Sequence, residues 1–302
     1  VEIMIRQALS WAGLVVVLLA SAAPGTAESR EIDPGTQGSR FLGPDGEMLP
    51  FPDDAEALEF LRTARVIRSR RAEGGISGAR KVLLEWDGVR AHAVFRTVAI
   101  TRFVCEVAEG RLQSHFRDHH ANEVAAYRLA RALGLDMVPP TVARRIGGRE
   151  GSLQLWIEGA EPETVFRERD LPPVERLKHG MQVDQMNVFD NLINNVDRNN
   201  GNFLTVASGA VWWVDHTRSF SRVPSLPEES RIGRIDRDFW LRLREMPDEG
   251  IVEALSPHLQ EPEIEGVLKR RRLLVALLES RLEEEGLAGV LFSLAYARPP
   301  VH

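Results

Sequence analysis

Two stretches hold residue types whose spacing suits one chemistry. Asp197-Arg198-Asn199-Asn200-Gly201-Asn202-Phe203 is followed by Val211-Trp212-Trp213-Val214-Asp215-His216. A carboxylate, then an amide, then a second carboxylate closing an apolar run are the side chains that phosphoryl transfer needs on one side of a nucleotide. Asp197 would orient an attacking hydroxyl. Asn202 and Asp215 would supply hard oxygen atoms to Mg²⁺ or Mn²⁺, which favour such donors. Asn, Asp and Gly also make turns on their own. A turn explains the composition of the first stretch but not the Asp that ends the second.

Further groups upstream fit the same chemistry. Gly74-Gly75-Ile76-Ser77-Gly78 could lay backbone N–H groups against phosphates, with Gly75, Ser77 and Gly78 as the contacts. No Gly-Lys-Ser/Thr ending follows, so this is not a Walker-type loop. A kinase holds the phosphates of its nucleotide with a basic strand residue, oriented by a carboxylate on the next helix. Arg96 and Glu123 stand in that order, and Lys81 is the alternative phosphate contact. Alone, Arg96 would be an outward strand residue and Glu123 a solvated helix carboxylate. Arg is bulkier than the usual Lys and binds as a planar fork, so the exchange is not neutral.

Other side chains are assigned no chemistry. His115 and His119 are spaced to share a helix face, but no Glu follows in a zincin pattern. His216 is expected to pack near the metal site. Cys105, the single cysteine, has no disulfide partner and is read as a buried apolar residue. Lys269-Arg270-Arg271-Arg272 is read as a solvated helix face.

The elements that would position these groups follow from pattern. Asp53 or Asp54 caps a short helix over residues 55–61. Residues 64–71, 81–86 and 91–98 read as three antiparallel strands, the last two joined by the hairpin signal Asp87-Gly88. A helix is predicted over 117–133, closed by Gly134 and stopped by Pro139-Pro140. Residues 152–157 form another strand, and 158–162 break it as a hinge. A helix over 183–196 runs into Asp197, a hairpin turns at Ser208-Gly209, and helices follow over 236–246 and 263–284. Strands with one helix, then helices enclosing a hairpin, describe an α+β, two-lobed protein-kinase-like fold. The expected divisions are a signal peptide over 1–27, a linker or surface arm over 28–52, an N-lobe over 53–158, a C-lobe over 159–290 and a tail over 291–302.

Composition agrees with one large globular domain. The chain has 302 residues, 43% hydrophobic and 27% charged, with a formal net charge of −6. That balance argues against a nucleic-acid partner. Arg6, the apolar run 9–20 and the small-residue sites Ala20-Ser21-Ala22 and Gly25-Thr26-Ala27 read as an export signal. Cleavage would leave no membrane span, and the product is expected to be an exported monomer.

At these residues the chain resembles known families. Asp197-Arg198-Asn199-Asn200-Gly201-Asn202 is similar to the catalytic loop of phosphoinositide 3- and 4-kinases. More segments resemble the secreted kinases of the Golgi casein kinase and four-jointed group. They include Ala93-Val94-Phe95-Arg96, Asn122-Glu123-Val124-Ala125-Ala126-Tyr127, Val138-Pro139-Pro140 and Val214-Asp215-His216-Thr217-Arg218-Ser219-Phe220. The resemblance implies a kinase using ATP with Mg²⁺ or Mn²⁺ on a hydroxyl-bearing protein or glycan. It gives Asp197 as the catalytic residue, Asp215 as the metal Asp and Glu123 as the helix carboxylate. Arg96 and Thr217 depart from the pattern, where Lys and Gly are usual. Two alternatives stay open: a pseudokinase that binds without turnover, and a nucleotidyl transferase on the same fold.

Overall fold

The computed structural model describes residues 40–72, 78–108 and 111–294. Gly75 and Ser77, like residues 1–27, where the sequence analysis expects a signal peptide, lie outside them. Asp53 caps helix α1 (Asp54–Thr63) by accepting the N–H groups of Ala55 and Glu56. Then come β1 (Arg65–Arg71), β2 (Arg80–Trp86) and β3 (Val89–Arg96). Asp87 and Gly88 both take positive φ, 48° and 77°, as a two-residue hairpin turn demands.

The next segment corrects the sequence reading. Residues 117–119 are not helical. They end a second hairpin, β4 (Ala99–Ala108) with β5 (Arg111–His119), and helix α2 begins only at Ala121 and ends at Ala132. The helical spacing of His115 and His119 therefore has no meaning, because both stand on a strand. Cys105 is corrected too: on β4 it is half-exposed rather than buried.

Strands β6 (Thr141–Ile146) and β7 (Arg149–Leu155) complete a five-stranded antiparallel sheet in the order β1-β2-β3-β7-β6. Strand β6 had no sequence prediction. One face of the sheet buries Val82, Leu84, Ala93, Phe95, Leu153 and Leu155 against α1. Residues 40–52 are more than a linker, since Phe41, Leu49 and Phe51 are buried in that same core.

The second half opens with β8 (Glu161–Pro162) and α3 (Glu163–Phe166). Helix α4 (Pro173–Ile193) starts ten residues before the predicted 183 and stops before 196, because Asn194 turns left-handed at φ 54°. Strands β9 (Phe203–Thr205) and β10 (Val211–Trp213) form the predicted hairpin. Then come β11 (Ile235–Asp236), α5 (Arg237–Glu245), α6 (Asp248–Leu255), α7 (Glu261–Val290) and β12 (Leu291–Phe292). The larger core joins α2, α4, α5 and α7 around Phe189, Trp213, Phe220 and Phe239.

The basic run 269–272 is not a solvated face. Arg270 is fully buried and Arg271 nearly so. Arg270 donates to the carbonyls of Leu192, Ser221 and Val223, and Arg271 to those of Leu243, Arg244 and Met246. These carbonyls stand at the C-terminal ends of α4 and α5, where a helix leaves carbonyls without intrahelical partners, and in the loop at 221–223. Among the described residues no helix is long and apolar enough to cross a membrane.

Candidate active site

Arg96 ends β3 with its side chain 9% exposed. Its Nε lies 3.5 Å from Glu123 Oε1 and 3.9 Å from Asp215 Oδ1. Glu123, on the first turn of α2, is fully buried. It also accepts the backbone N–H of His216 at 3.1 Å, and its Oε2 lies 3.4 Å from His216 Nδ1. Burial alone would raise the Glu123 pKa. The Arg96 guanidinium and the contacts with His216 outweigh it and bring the value down to about 2. Burial likewise opposes the charge on Arg96, but Glu123, Asp215 and Asp118 raise its pKa. The close approach behind Arg96 requires a glycine. A Cβ on Gly151 would sit 2.2 Å from the Arg96 carbonyl oxygen.

Asp197 follows the left-handed Asn194. Its N–H donates to Asn195 Oδ1, and its carbonyl accepts Asn199 Nδ2 and Asn202 Nδ2. The Asn residues thus do build a turn, and the same turn presents Asp197. Its carboxylate pairs with Arg218 Nη1 at 3.1 Å. Because the Asn202 amide nitrogen is committed to the Asp197 carbonyl, its oxygen is the atom left for a cation. The backbone of Asn202 accepts the N–H of Val214, one residue before Asp215. Asp215 itself adopts φ 59°, an uncommon conformation that Asp tolerates better than most residues.

Sequence reasoning missed the residue that locks this geometry. Arg198 is almost fully buried, with its Nε and Nη2 forked onto Asp190 at 2.7 and 2.9 Å. Its Nη1 donates to the carbonyls of Asn202 and Val214, and Nη2 stands 3.1 Å from His216 Nε2. One guanidinium therefore joins α4, the Asp197 turn and the Asp215 segment. Helix α2 grips that segment from the other side, where Asn122 donates to the carbonyls of Thr217 and Ser219.

Asp118 was also missed, because its segment had been read as helix. Burial raises its pKa, Thr217 and Arg218 lower it, and the charges of Asp215 and Asp197 raise it further. Its Oδ1 is buried with no hydrogen-bond donor.

Lys81 shares Arg96's face of the sheet, since it pairs across β2 and β3 with Val94, two residues before Arg96. Lys81 lies with its Nζ 3.9 Å from the Trp156 ring centre and 3.8 Å from Glu158 Oε1, on the strand after Gly78. Gly78 takes φ 70°. Among the described residues no cluster of three or more His, Cys, Asp or Glu is gathered to hold a metal ion. His119 accepts the N–H of Ala121 instead; burial, then Arg117 and His120, bring its pKa down to about 4.

Comparison with known proteins bears on the fold. No family model matches the chain. Protein Rv2133c of Mycobacterium tuberculosis is 28% identical over 160 residues, covering 43% of this chain and 54% of that protein. The chain thus spans about half the length of the curated relative it matches. A hydra Fam20 structure solved with sugar superposes with a TM-score of 0.60 at 16% identity, covering 79% of this chain and 92% of its own. A Golgi casein kinase with Mn and ADP bound gives 0.56, also at 16% identity, covering 79% and 78%. This is a Fam20-like kinase fold, mixed in helix and sheet. At such identity the likeness speaks for the fold alone.

Proposed function

We propose that this protein is an exported kinase, transferring the γ-phosphoryl group of ATP to a hydroxyl on a protein or glycan. The observation that carries the reading is the meeting of Arg96, Glu123 and Asp215. Residues from a strand, a helix and a loop, far apart in sequence, lie within 3.9 Å of one guanidinium nitrogen. A structural ion pair would need only two of them.

The residues present fit a metal–nucleotide. Arg96 Nη1 is a buried donor with no acceptor, and Asp118 Oδ1 a buried acceptor with no donor. Such groups are costly unless an anion and a cation complete them. Asp215 and the Asn202 oxygen form a hard donor set suited to Mg²⁺ or Mn²⁺, which would neutralise phosphate charge when bound. Arg96 would hold phosphate oxygens, with Glu123 fixing its position. Asp197 would accept or orient the proton of the acceptor hydroxyl, after the acceptor displaces Arg218 from it. In-line geometry and charge stabilisation, rather than covalent chemistry, are what these residues can supply.

The pair between Arg218 and Asp197 favours a second reading, a nucleotide-binding module without turnover, because the carboxylate is already engaged. One set of measurements separates the two. Thermal stabilisation by ATP with Mn²⁺, absent in Asp215→Ala, is expected under both. Phosphate transfer lost in Asp197→Ala is expected only of the enzyme; transfer of a nucleotidyl group would mark the alternative transferase. A wild-type protein unmoved by any nucleotide would overturn all three.

A further inference from the structure

The turn at Asp197 carries a cation that is already spent. Arg198 commits Nε and Nη2 to Asp190, and Nη1 to the carbonyls of Asn202 and Val214. The cation that faces the Asp197 carboxylate is Arg218, with its Nη1 3.1 Å from Oδ1. Its guanidinium carbon lies 5.2 Å from the centre of the Phe116 ring. Asp118 stands near enough to feel its charge. Arg218 Nε is buried with no acceptor. A buried donor without an acceptor costs free energy that a bound anion would recover.

The backbone on either side of Arg218 is held. Asn122 Nδ2 donates to the Thr217 carbonyl at 2.7 Å and to the Ser219 carbonyl at 2.9 Å. The N–H of His119 donates to the Thr217 carbonyl as well, at 2.9 Å. A change of partner at Arg218 is therefore a movement of the side chain alone. The Phe116 ring attracts the guanidinium whichever anion it holds. An acceptor hydroxyl that takes the place of Arg218 on Asp197 lies about 3 Å from that carboxylate. In a near-attack arrangement the phosphorus it attacks is about 3 Å farther on. The γ-phosphoryl group thus comes within about 6 Å of Asp197, inside the reach of a guanidinium that now touches it.

We infer that Arg218, once displaced from Asp197, closes on the γ-phosphoryl oxygens of the nucleotide. One side chain then covers the catalytic carboxylate at rest and stabilises the transferred group in use. In that step the acceptor oxygen bonds to the γ-phosphorus and the bond to the β–γ bridging oxygen breaks. The electron pair of the broken bond leaves with the diphosphate, and the hydroxyl proton passes to Asp197. Arg218 neutralises charge on the non-bridging oxygens through two N–H groups, which a point cation cannot match. The inference rests on the nucleotide site of the kinase reading but not on turnover. Arg218 tells a triphosphate from a diphosphate even in a protein that only binds.

The test is calorimetric titration of the full chain with ADP and with an ATP analogue that has nitrogen in its β–γ bridge, each with Mn²⁺. The wild type is expected to bind the analogue more tightly than ADP. Arg218→Met should weaken the analogue about tenfold or more and leave ADP within about twofold. Its melting temperature without nucleotide should be unchanged. Arg218→Lys, which keeps the charge but loses the fork, should fall between the two. Asp215→Ala should weaken both ligands, since it removes a metal ligand. An analogue-to-ADP ratio unchanged in both Arg218 variants would overturn the inference. Faster phosphate transfer at that unchanged ratio would make Arg218 a latch on Asp197 and nothing more. A wild type that binds neither ligand would overturn the nucleotide site itself, and the inference with it.

Discussion

Replacing Arg96 by Met tests the linkage between the buried pair and the fold. Glu123 is fully buried, and its pKa is held at about 2 by Arg96 and His216 against the pull of burial. A carboxylate moved from the ordinary value to about 2 carries about 3 kcal/mol of stability. The sign follows from the downward shift: this stability is complete above the unfolded pKa and is lost as pH falls toward 2. Arg96→Met leaves the carboxylate buried with His216 alone, so a loss of about 3 kcal/mol is expected at pH 7. Lowering pH from 7 to 4 should cost the wild type about 1 kcal/mol through this group and the variant less. The double variant Arg96→Met/Glu123→Leu should regain much of the loss, because removing both charges leaves neither stranded. Urea unfolding followed by tryptophan fluorescence, with Trp213 in the core, measures all of these. A single variant within about 0.5 kcal/mol of wild type, or a double variant no better than the single, would refute the reasoning.

Three further outcomes follow from the same contacts. Gly151→Ala places a Cβ 2.2 Å from the Arg96 carbonyl and 2.6 Å from the Phe95 ring; a cost of about 1–3 kcal/mol is expected in urea. Arg198→Lys gives up the fork onto Asp190 and the carbonyls of Asn202 and Val214; about 3 kcal/mol should be lost, and nucleotide-dependent stabilisation with it, in a thermal-shift assay. Arg270→Met strands the carbonyls of Leu192, Ser221 and Val223 inside the core, and should lower the urea midpoint by the equivalent of about 3 kcal/mol or more.

Local signals were readable wherever one residue decides a short stretch. A cap at Asp53 or Asp54, Asp87-Gly88 as a turn and the hairpin around Ser208-Gly209 all came from neighbouring residues alone, and the structure takes Asp53. The α+β, two-lobed order followed from them. Misreadings fell where the period was ambiguous or the partner distant. Residues 117–119 adjoin a true helix, and only their pairing with 99–101 makes them strand. Arg270 and Arg271 sit in a charged run that solvent would accept equally well; carbonyls from three other segments draw them inside.

The candidate site divides the same way. The sequence by itself named Asp197, Asn202, Asp215, Arg96 and Glu123, because hydroxyl, metal and phosphate each require a particular functional group in a recognisable order. Only the tertiary structure decided that Arg96, Glu123 and Asp215 meet, that Lys81 lies against Trp156 on Arg96's face of the sheet, and that Arg198 ties the loop to Asp190. Most of those contacts join residues tens of positions apart, and chain order carries no distance until the core has packed.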